Sequence, residues 1–365
     1  MTEQVIRIGI IGSGGIARMH ARAYKRIPGV VVAAVADIVP GRAQALIDEE
    51  GLAEAAAFDN TRKLLEQELH GVSICTPNVS HHEQALLSLE AGKHVLVEKP
   101  LSVTLDEGIE MVETAERMGK MLSVGFQPRY DDNIKLVREI VQSGQLGGVY
   151  YAELGGGRPR GIPGGTFIRR DIAGSGAIAD IGCYSLDMAL YALNHPRPLT
   201  VSAFSSNRLG TNPAICPEAD RFDVEDFGVA FIRFENDMVM TFKTSWAMHL
   251  DSMGSTFFLG SEGGLKLGSG RTGAWGGSFD CLGDIRMYRD MMGRQTETVI
   301  PLSGQPLDEP FFLKISDFVR AIRDDAPAPV PASEILVQQT IIDALLRSAA
   351  QKREVDVEWP SILRR

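Results

Sequence analysis

Glycines, carboxylates, a lysine and a tyrosine are spaced along this chain as redox chemistry on a nucleotide would need them. Gly12-Ser13-Gly14-Gly15-Ile16-Ala17 is a G-x-G-x-x-A run. Gly12 permits a tight turn, Gly14 lets backbone approach a pyrophosphate, and Ala17 is small enough for a helix to close on a strand. Gly15 and Ile16 lie where helix N–H groups face phosphate oxygens. Asp37 follows at about the 20-residue distance at which a carboxylate accepts the ribose hydroxyls of NAD. It would repel a 2′-phosphate, and Ile38 and Val39 supply no cation in its place. Arg42 is near enough to leave NADP open.

Thr76-Pro77-Asn78 ends an apolar run, where Thr76 and Asn78 can meet a cofactor's sugars and diphosphate. The same residues also suit an ordinary strand-to-helix turn with Ser80 as its cap. Glu98-Lys99-Pro100 ends another apolar run, and Pro100 cannot continue a ladder. At a strand end Lys99 can hydrogen-bond a substrate hydroxyl and ease loss of its proton, or it can simply be solvated. In the apolar stretch 177–193, Asp180, Tyr184, Asp187 and Tyr191 share one helical stripe at about 100° per residue. The stripe faces either a substrate cleft or water, because burying an unpaired carboxylate is unfavourable.

Elements to position these groups are visible. Residues 6–11, 30–36, 71–76, 94–97 and 121–125 read as strands, with helices between them, clearest at 81–91 and 105–118. This alternation implies a doubly wound parallel sheet. A helix is expected from Gln127 to about Ser143. Beyond it, residues 149–154, 199–205, 227–234, 238–246, 255–259 and 296–300 read as strands with few helices between, which implies a mainly antiparallel sheet. One face of that sheet can cover helices and the other can pair with a second subunit. The glycine-rich stretch 260–277, with Trp275, reads as a loop or hairpin. Residues 310–323 read as a helix and 324–332 as a proline-rich connector.

A length of 365 residues predicts two domains, placed at 1–126 and 127–365. The hydrophobic content of 44% and charged content of 23% are those of a globular protein. A net charge of -10 argues against a nucleic-acid partner. No apolar run reaches the ~18 residues of a membrane span. The four cysteines lie far apart, so neither a zinc site nor a disulfide framework is indicated, and a reducing cytoplasm is the simplest compartment.

Taken together, these motifs resemble those of the Gfo/Idh/MocA oxidoreductases, the glucose–fructose oxidoreductase and inositol dehydrogenase family. The resemblance rests on Gly12–Ala17, on Thr76-Pro77-Asn78 with His81, on Glu98-Lys99-Pro100, and on the run from Asp180 to Asp187. It implies an α/β fold: an N-terminal Rossmann domain, then a C-terminal domain with a large, open, mainly antiparallel sheet. It implies hydride transfer between NAD or NADP and a sugar, cyclitol or related polyol, and a homodimer or homotetramer through the sheet face.

The resemblance makes Lys99, Tyr184 and Asp180 the catalytic group. It assigns the cofactor to Gly12, Gly14, Gly15, Ile16, Asp37, Thr76, Pro77, Asn78, His81, Glu98 and Lys99. Arg129 and Arg158 join Lys99, Asp180 and Tyr184 as substrate contacts. One departure is Tyr184, where inositol dehydrogenase-like members carry His. A phenol's ordinary pKa is about 10, so Tyr184 needs a nearby cation, for which Lys99 is the candidate. Other readings are an enzyme using NADP at the same site, a nucleotide-sensing regulator without turnover, and a glycosidase or lyase assisted by a redox cofactor.

Overall fold

Ile6–Ile11 (β1) is buried on both faces, as its run of isoleucines demands, and it opens a parallel sheet in the first part of the chain. Residues 5–269, 282–306 and 308–364 are described in this computed structural model. After β1 come Gly15–Lys25 (α1), Val30–Ala36 (β2), Arg42–Glu50 (α2), Ala56–Phe58 (β3) and Thr61–Leu65 (α3). Gly71–Ile74 (β4), His81–Glu90 (α4), His94–Val97 (β5), Leu105–Met118 (α5) and Leu122–Val124 (β6) complete the pattern. The strand order is β3-β2-β1-β4-β5-β6 and every neighbouring pair is parallel. The order reverses beside β1, so the carboxyl ends of β1 and β4 flank the crevice where such sheets bind nucleotides.

The remaining elements are Asp132–Gln142 (α6), Val149–Leu154 (β7), Arg170–Ala173 (α7), Ala177–Asp180 (α8), Gly182–Ala192 (α9), Pro198–Ser206 (β8), Phe227–Phe234 (β9) and Val239–Ser245 (β10). Then follow Thr256–Gly260 (β11), Gly263–Ser269 (β12), Leu282–Met291 (β13), Arg294–Ile300 (β14), Glu309–Arg323 (α10), Ala332–Gln351 (α11) and Val355–Asp356 (β15). The second sheet runs β14-β13-β12-β11-β7-β10-β9-β8-β15. Among the described residues its only parallel pair is β7 with β10. Both the parallel sheet and the mainly antiparallel one are therefore as expected from the sequence.

The chain divides into one unit of Met1–Gln127, Leu307–Leu336 and Arg364–Arg365, and another of Pro128–Pro306 and Val337–Leu363. A single boundary at 126/127 does not contain this return of the chain. The return is made by α10, whose Phe311, Ile315 and Phe318 enter the same buried cluster as Ile8, Ala17 and Ala21.

Local differences from the expected elements have physical causes. The expected helix from Gln127 is interrupted: a 3-10 turn at Gln127–Tyr130 precedes α6, which Asp131 caps by accepting from the Asn133 N–H at 2.7 Å. The stretch 177–193 is likewise not one helix. Ile181 (φ −109°) separates α8 from α9, and the Tyr184 N–H reaches the Ile181 carbonyl at 3.2 Å in a tightened turn. Within the glycine-rich stretch 260–277, expected as a loop or hairpin, β12 pairs antiparallel with β11 and β13, while residues 270–277, with Trp275, lie outside the described residues.

Candidate active site

The turn after β1 has the features of a phosphate cradle. Gly12 has φ +91°, and a Cβ there would stand 2.7 Å from the Cys75 carbonyl oxygen. Gly14 and Gly15 face open space where a side chain would project. Helix α1 begins at that point with no side-chain cap and no acidic residue in its first turn, so its leading N–H groups are left for an anion. Ile16 follows within that turn.

Asp37 leaves β2 over the same turn. Its Oδ2 accepts from the Ser13 N–H at 3.0 Å and the Ser13 hydroxyl at 2.5 Å, and its Oδ1 accepts from the Val39 N–H at 2.8 Å. The carboxylate is thus aimed by Ser13, a residue the sequence reading left without a role. Ile38, 87% exposed, brings no positive charge beside it.

At the end of β4 the Thr76 hydroxyl oxygen is buried and has no hydrogen-bond partner. A buried polar atom without a partner is unfavourable, and a ligand's hydroxyl or phosphate oxygen would satisfy it. The uncapped helix, the open glycines and this hydroxyl together fit a dinucleotide. Pro77 is exposed, and Asn78 begins a 3-10 turn, Asn78–Ser80, that leads into α4 in place of a Ser80 side-chain cap.

Two residues expected at the cofactor are turned elsewhere. His81 is buried, with Nδ1 2.8 Å from the Pro100 carbonyl oxygen and Nε2 3.2 Å from that of Thr76. It tethers the Thr76 turn to the Lys99-Pro100 turn, whose peptide bond is cis. Burial holds the imidazole pKa below its ordinary value. Glu98 points inward, its Oε1 lying 2.8 Å from His20 Nε2 and 2.5 Å from Lys314 Nζ. Burial alone would raise this carboxyl, but the Lys314 ammonium and the His20 hydrogen bond outweigh it and hold it well below the usual carboxylate range. His20 continues to the Ser73 hydroxyl at 2.9 Å, which also meets the Tyr24 hydroxyl at 2.7 Å. Lys99, next after Glu98, is half-buried at the carboxyl edge, where the Glu98 N–H donates to the Ile74 carbonyl at 3.0 Å.

In the other unit the stripe divides into two halves. Asp180 accepts from the Trp246 indole N–H, Nε1 to Oδ2, at 2.9 Å, and Tyr184 is 5% exposed. Asp187, one turn further along, is held by Arg129 through Nη2–Oδ1 at 2.7 Å and Nε–Oδ2 at 3.0 Å. Tyr191 lies under two guanidinium groups, 4.8 Å from Arg129 and 4.3 Å from Arg138. The stripe's far half is therefore a buried ion pair with a cation–π stack. Arg129, suggested by sequence as a substrate contact, is committed to structure there. Arg158 is half-buried in the segment after β7 and donates from Nη1 to the Gly161 carbonyl at 3.0 Å.

Sequence reasoning missed Lys314, His20 and Trp246. Each meets its partner, Glu98 for Lys314 and His20 and Asp180 for Trp246, across a long stretch of chain, and no local spacing marks any of them. Among the described residues, no group of His, Cys, Asp and Glu is arranged to hold a metal ion, and no helix is long and apolar enough to cross a membrane.

Comparison with known proteins agrees with this architecture. Residues 6–126 match the Gfo/Idh/MocA oxidoreductase model with its NAD-binding Rossmann fold, and residues 134–266 match a Gfo/Idh/MocA C-terminal domain. The D-glucoside 3-dehydrogenase of Escherichia coli strain K12 is 34% identical over 277 residues, 73% of this chain and 78% of that protein. The glucose-6-phosphate 3-dehydrogenase of Bacillus subtilis strain 168 is 33% identical over 189 residues, 51% of this chain and 53% of that protein. The solved structure of a levoglucosan dehydrogenase in complex with NADH shares the fold, with a TM-score of 0.81 at 24% identity over 97% of this chain and 100% of that one.

Proposed function

The chain belongs to the Gfo/Idh/MocA family of oxidoreductases with an NAD-binding Rossmann domain, and from that premise we propose that it moves a hydride between NAD and a secondary ring carbon of a glucose-type sugar. The carrying observation is the carboxyl edge of the parallel sheet. There the uncapped helix α1, Asp37, the unpartnered Thr76 hydroxyl and Lys99 stand on adjoining strand ends. The substrate class is supported by the E. coli relative, a D-glucoside 3-dehydrogenase.

Bound NAD supplies the hydride acceptor. Gly12, Gly14, Gly15 and Ile16 receive its diphosphate, Asp37 accepts from the adenosine ribose, and Thr76 and Asn78 meet its sugars. Lys99 and Tyr184 hold the oxygen of the reacting carbon. One takes the hydroxyl proton as hydride leaves the carbon, and the other stabilises the charge on that oxygen. Asp180 accepts from neighbouring sugar hydroxyls. Arg158 contacts the sugar. His81 braces the neighbouring turns, and Glu98 and Arg129 act through their buried ion pairs.

The remaining assignments belong to the same reading. The face of the second sheet opposite α8 and α9 exposes Phe204 (55%) and Phe231 (38%), and a homodimer or homotetramer through that face would cover them. Buried cysteines outside any disulfide, Cys75, Cys183 and Cys216, with NAD as cofactor, support a cytoplasmic setting.

The test is a panel of glucosides, free hexoses and cyclitols, assayed for NADH formation by absorbance, with NADP in parallel. Turnover of a glucoside with NAD is the expected result. Tight NADH binding with no turnover of any polyol would overturn the proposal and favour a nucleotide sensor.

A further inference from the structure

We propose that Trp246 is the positioning residue for Asp180, an inference that rests on the reading of Asp180 as a substrate-facing carboxylate. The indole Nε1–H donates to Asp180 Oδ2 at 2.9 Å, and the indole is wholly buried at 0% exposure. Its orientation is fixed by packing: Phe222 meets it edge-on, with ring centroids 6.2 Å apart at 86°, inside a cluster that includes Ile168, Ile181 and Val224.

Donor and acceptor are tied to adjacent residues of one dipeptide. The Trp246 N–H donates to the Asp226 carbonyl at 2.8 Å, and the Ala177 N–H, at the start of α8, donates to the Glu225 carbonyl at 2.9 Å. The Glu225 side chain binds that helix start again, its Oε1 accepting from the Gly176 N–H at 2.7 Å and the Ile178 N–H at 3.2 Å. Gly176 makes this approach feasible, since a Cβ there would lie 1.9 Å from the Glu225 oxygen. The helix that ends in Asp180 and the strand exit that carries Trp246 are thus held in register by one dipeptide.

The choice of donor matters chemically. Seven residues beyond Asp180, Asp187 is bound by the Arg129 guanidinium, which neutralises it within the core. An indole N–H carries no charge and does not titrate, so its bond orients a carboxylate without offsetting the negative charge. Of two carboxylates in one polar stripe, Asp187 is neutralised by the Arg129 guanidinium, and Asp180 is oriented by an indole that supplies no charge.

The test uses the full-length protein labelled with [15N-indole]tryptophan. The Trp246 signal is assigned by elimination in Trp275→Phe and Trp359→Phe. In Asp180→Ala this signal should move upfield and exchange faster with solvent; an unmoved signal would overturn the contact. Kinetics then use the polyol found active in the panel above. Trp246→Phe keeps a buried ring and removes the donor. It should lower kcat about tenfold or somewhat more, the scale of one hydrogen bond to a charged acceptor, with NADH affinity unchanged. Added to Asp180→Ala it should cost nothing further, because it acts only through that carboxylate. An equal loss in both backgrounds would overturn the positioning role. A panel without turnover refutes the proposed reaction, while the indole signal still reports separately on the bond.

Discussion

Lys314 Nζ lies 2.5 Å from Glu98 Oε1, and Glu98 immediately precedes Lys99. A lysine brought in by α10 therefore fixes the strand end from which the proposed catalytic lysine emerges. Both members of the pair are buried, and removing one partner leaves the other charge uncompensated. Glu98→Gln should lower stability by about 3–5 kcal/mol, measured by chemical denaturation, and Glu98→Gln combined with Lys314→Met should recover much of the loss. Additive destabilisation in the double variant would contradict this account.

The same pair sets a pH dependence. Glu98 has a folded pKa below its unfolded value of about 4.3, so its stabilisation is present above that pH and is lost as pH falls further. His20, whose pKa burial lowers, acts in the same direction below its unfolded value of about 6.5. Melting temperature should therefore fall on acidification. The fall below about pH 5 should be shallower in the Glu98→Gln/Lys314→Met variant, which lacks the carboxylate term.

Lys99→Ala should leave NADH binding, followed by fluorescence, nearly intact. Turnover should fall by about 10²–10⁴-fold, the range expected on removing a proton-transfer or charge-stabilising group. Unchanged turnover would remove Lys99 from the chemistry.

Arg129→Met should behave differently. It strips Asp187 of its partner and should reduce stability by about 3–5 kcal/mol. KM for the sugar, measured well below the melting temperature, should change little. A large rise in KM with unchanged stability would restore Arg129 as a substrate contact.

Asp37→Ala removes the carboxylate that Ser13 and Val39 orient. NADH affinity should fall by about tenfold or more, as expected when a charged acceptor of hydroxyl hydrogen bonds is lost. NADPH affinity should fall less or rise, so the ratio of the two dissociation constants is the decisive reading.

Much of the first sheet was legible because its signals are local. The β1 run, the glycine turn and Asp37 lie within a few dozen residues and follow one geometry. Strand β3 escaped because Ala-Ala-Phe is too short to show a period. Strand β12, Gly-Gly-Leu-Lys-Leu-Gly-Ser, was read only as part of a loop or hairpin because its glycines blur any strand period. At the site, residue types were legible but their partners were not. Nothing near Arg129 tells of Asp187, 58 residues away, nor does anything near Glu98 tell of Lys314, 216 residues away. A polar residue on a helix face looks the same in sequence whether it meets ligand or a buried ion pair. The buried partners of His81, Glu98 and Arg129 were illegible in the same way.

The return of α10 to the first sheet limits how this protein can be dissected. A fragment ending at residue 127 keeps every glycine and acidic residue of the nucleotide fingerprint, yet it omits Lys314 along with Phe311, Ile315 and Phe318. Such a piece would expose an apolar seam beside β1 and strand a carboxylate in the interior. The dinucleotide module is therefore not a portable cassette: grafting it onto another scaffold requires carrying a helix encoded nearly two hundred residues downstream.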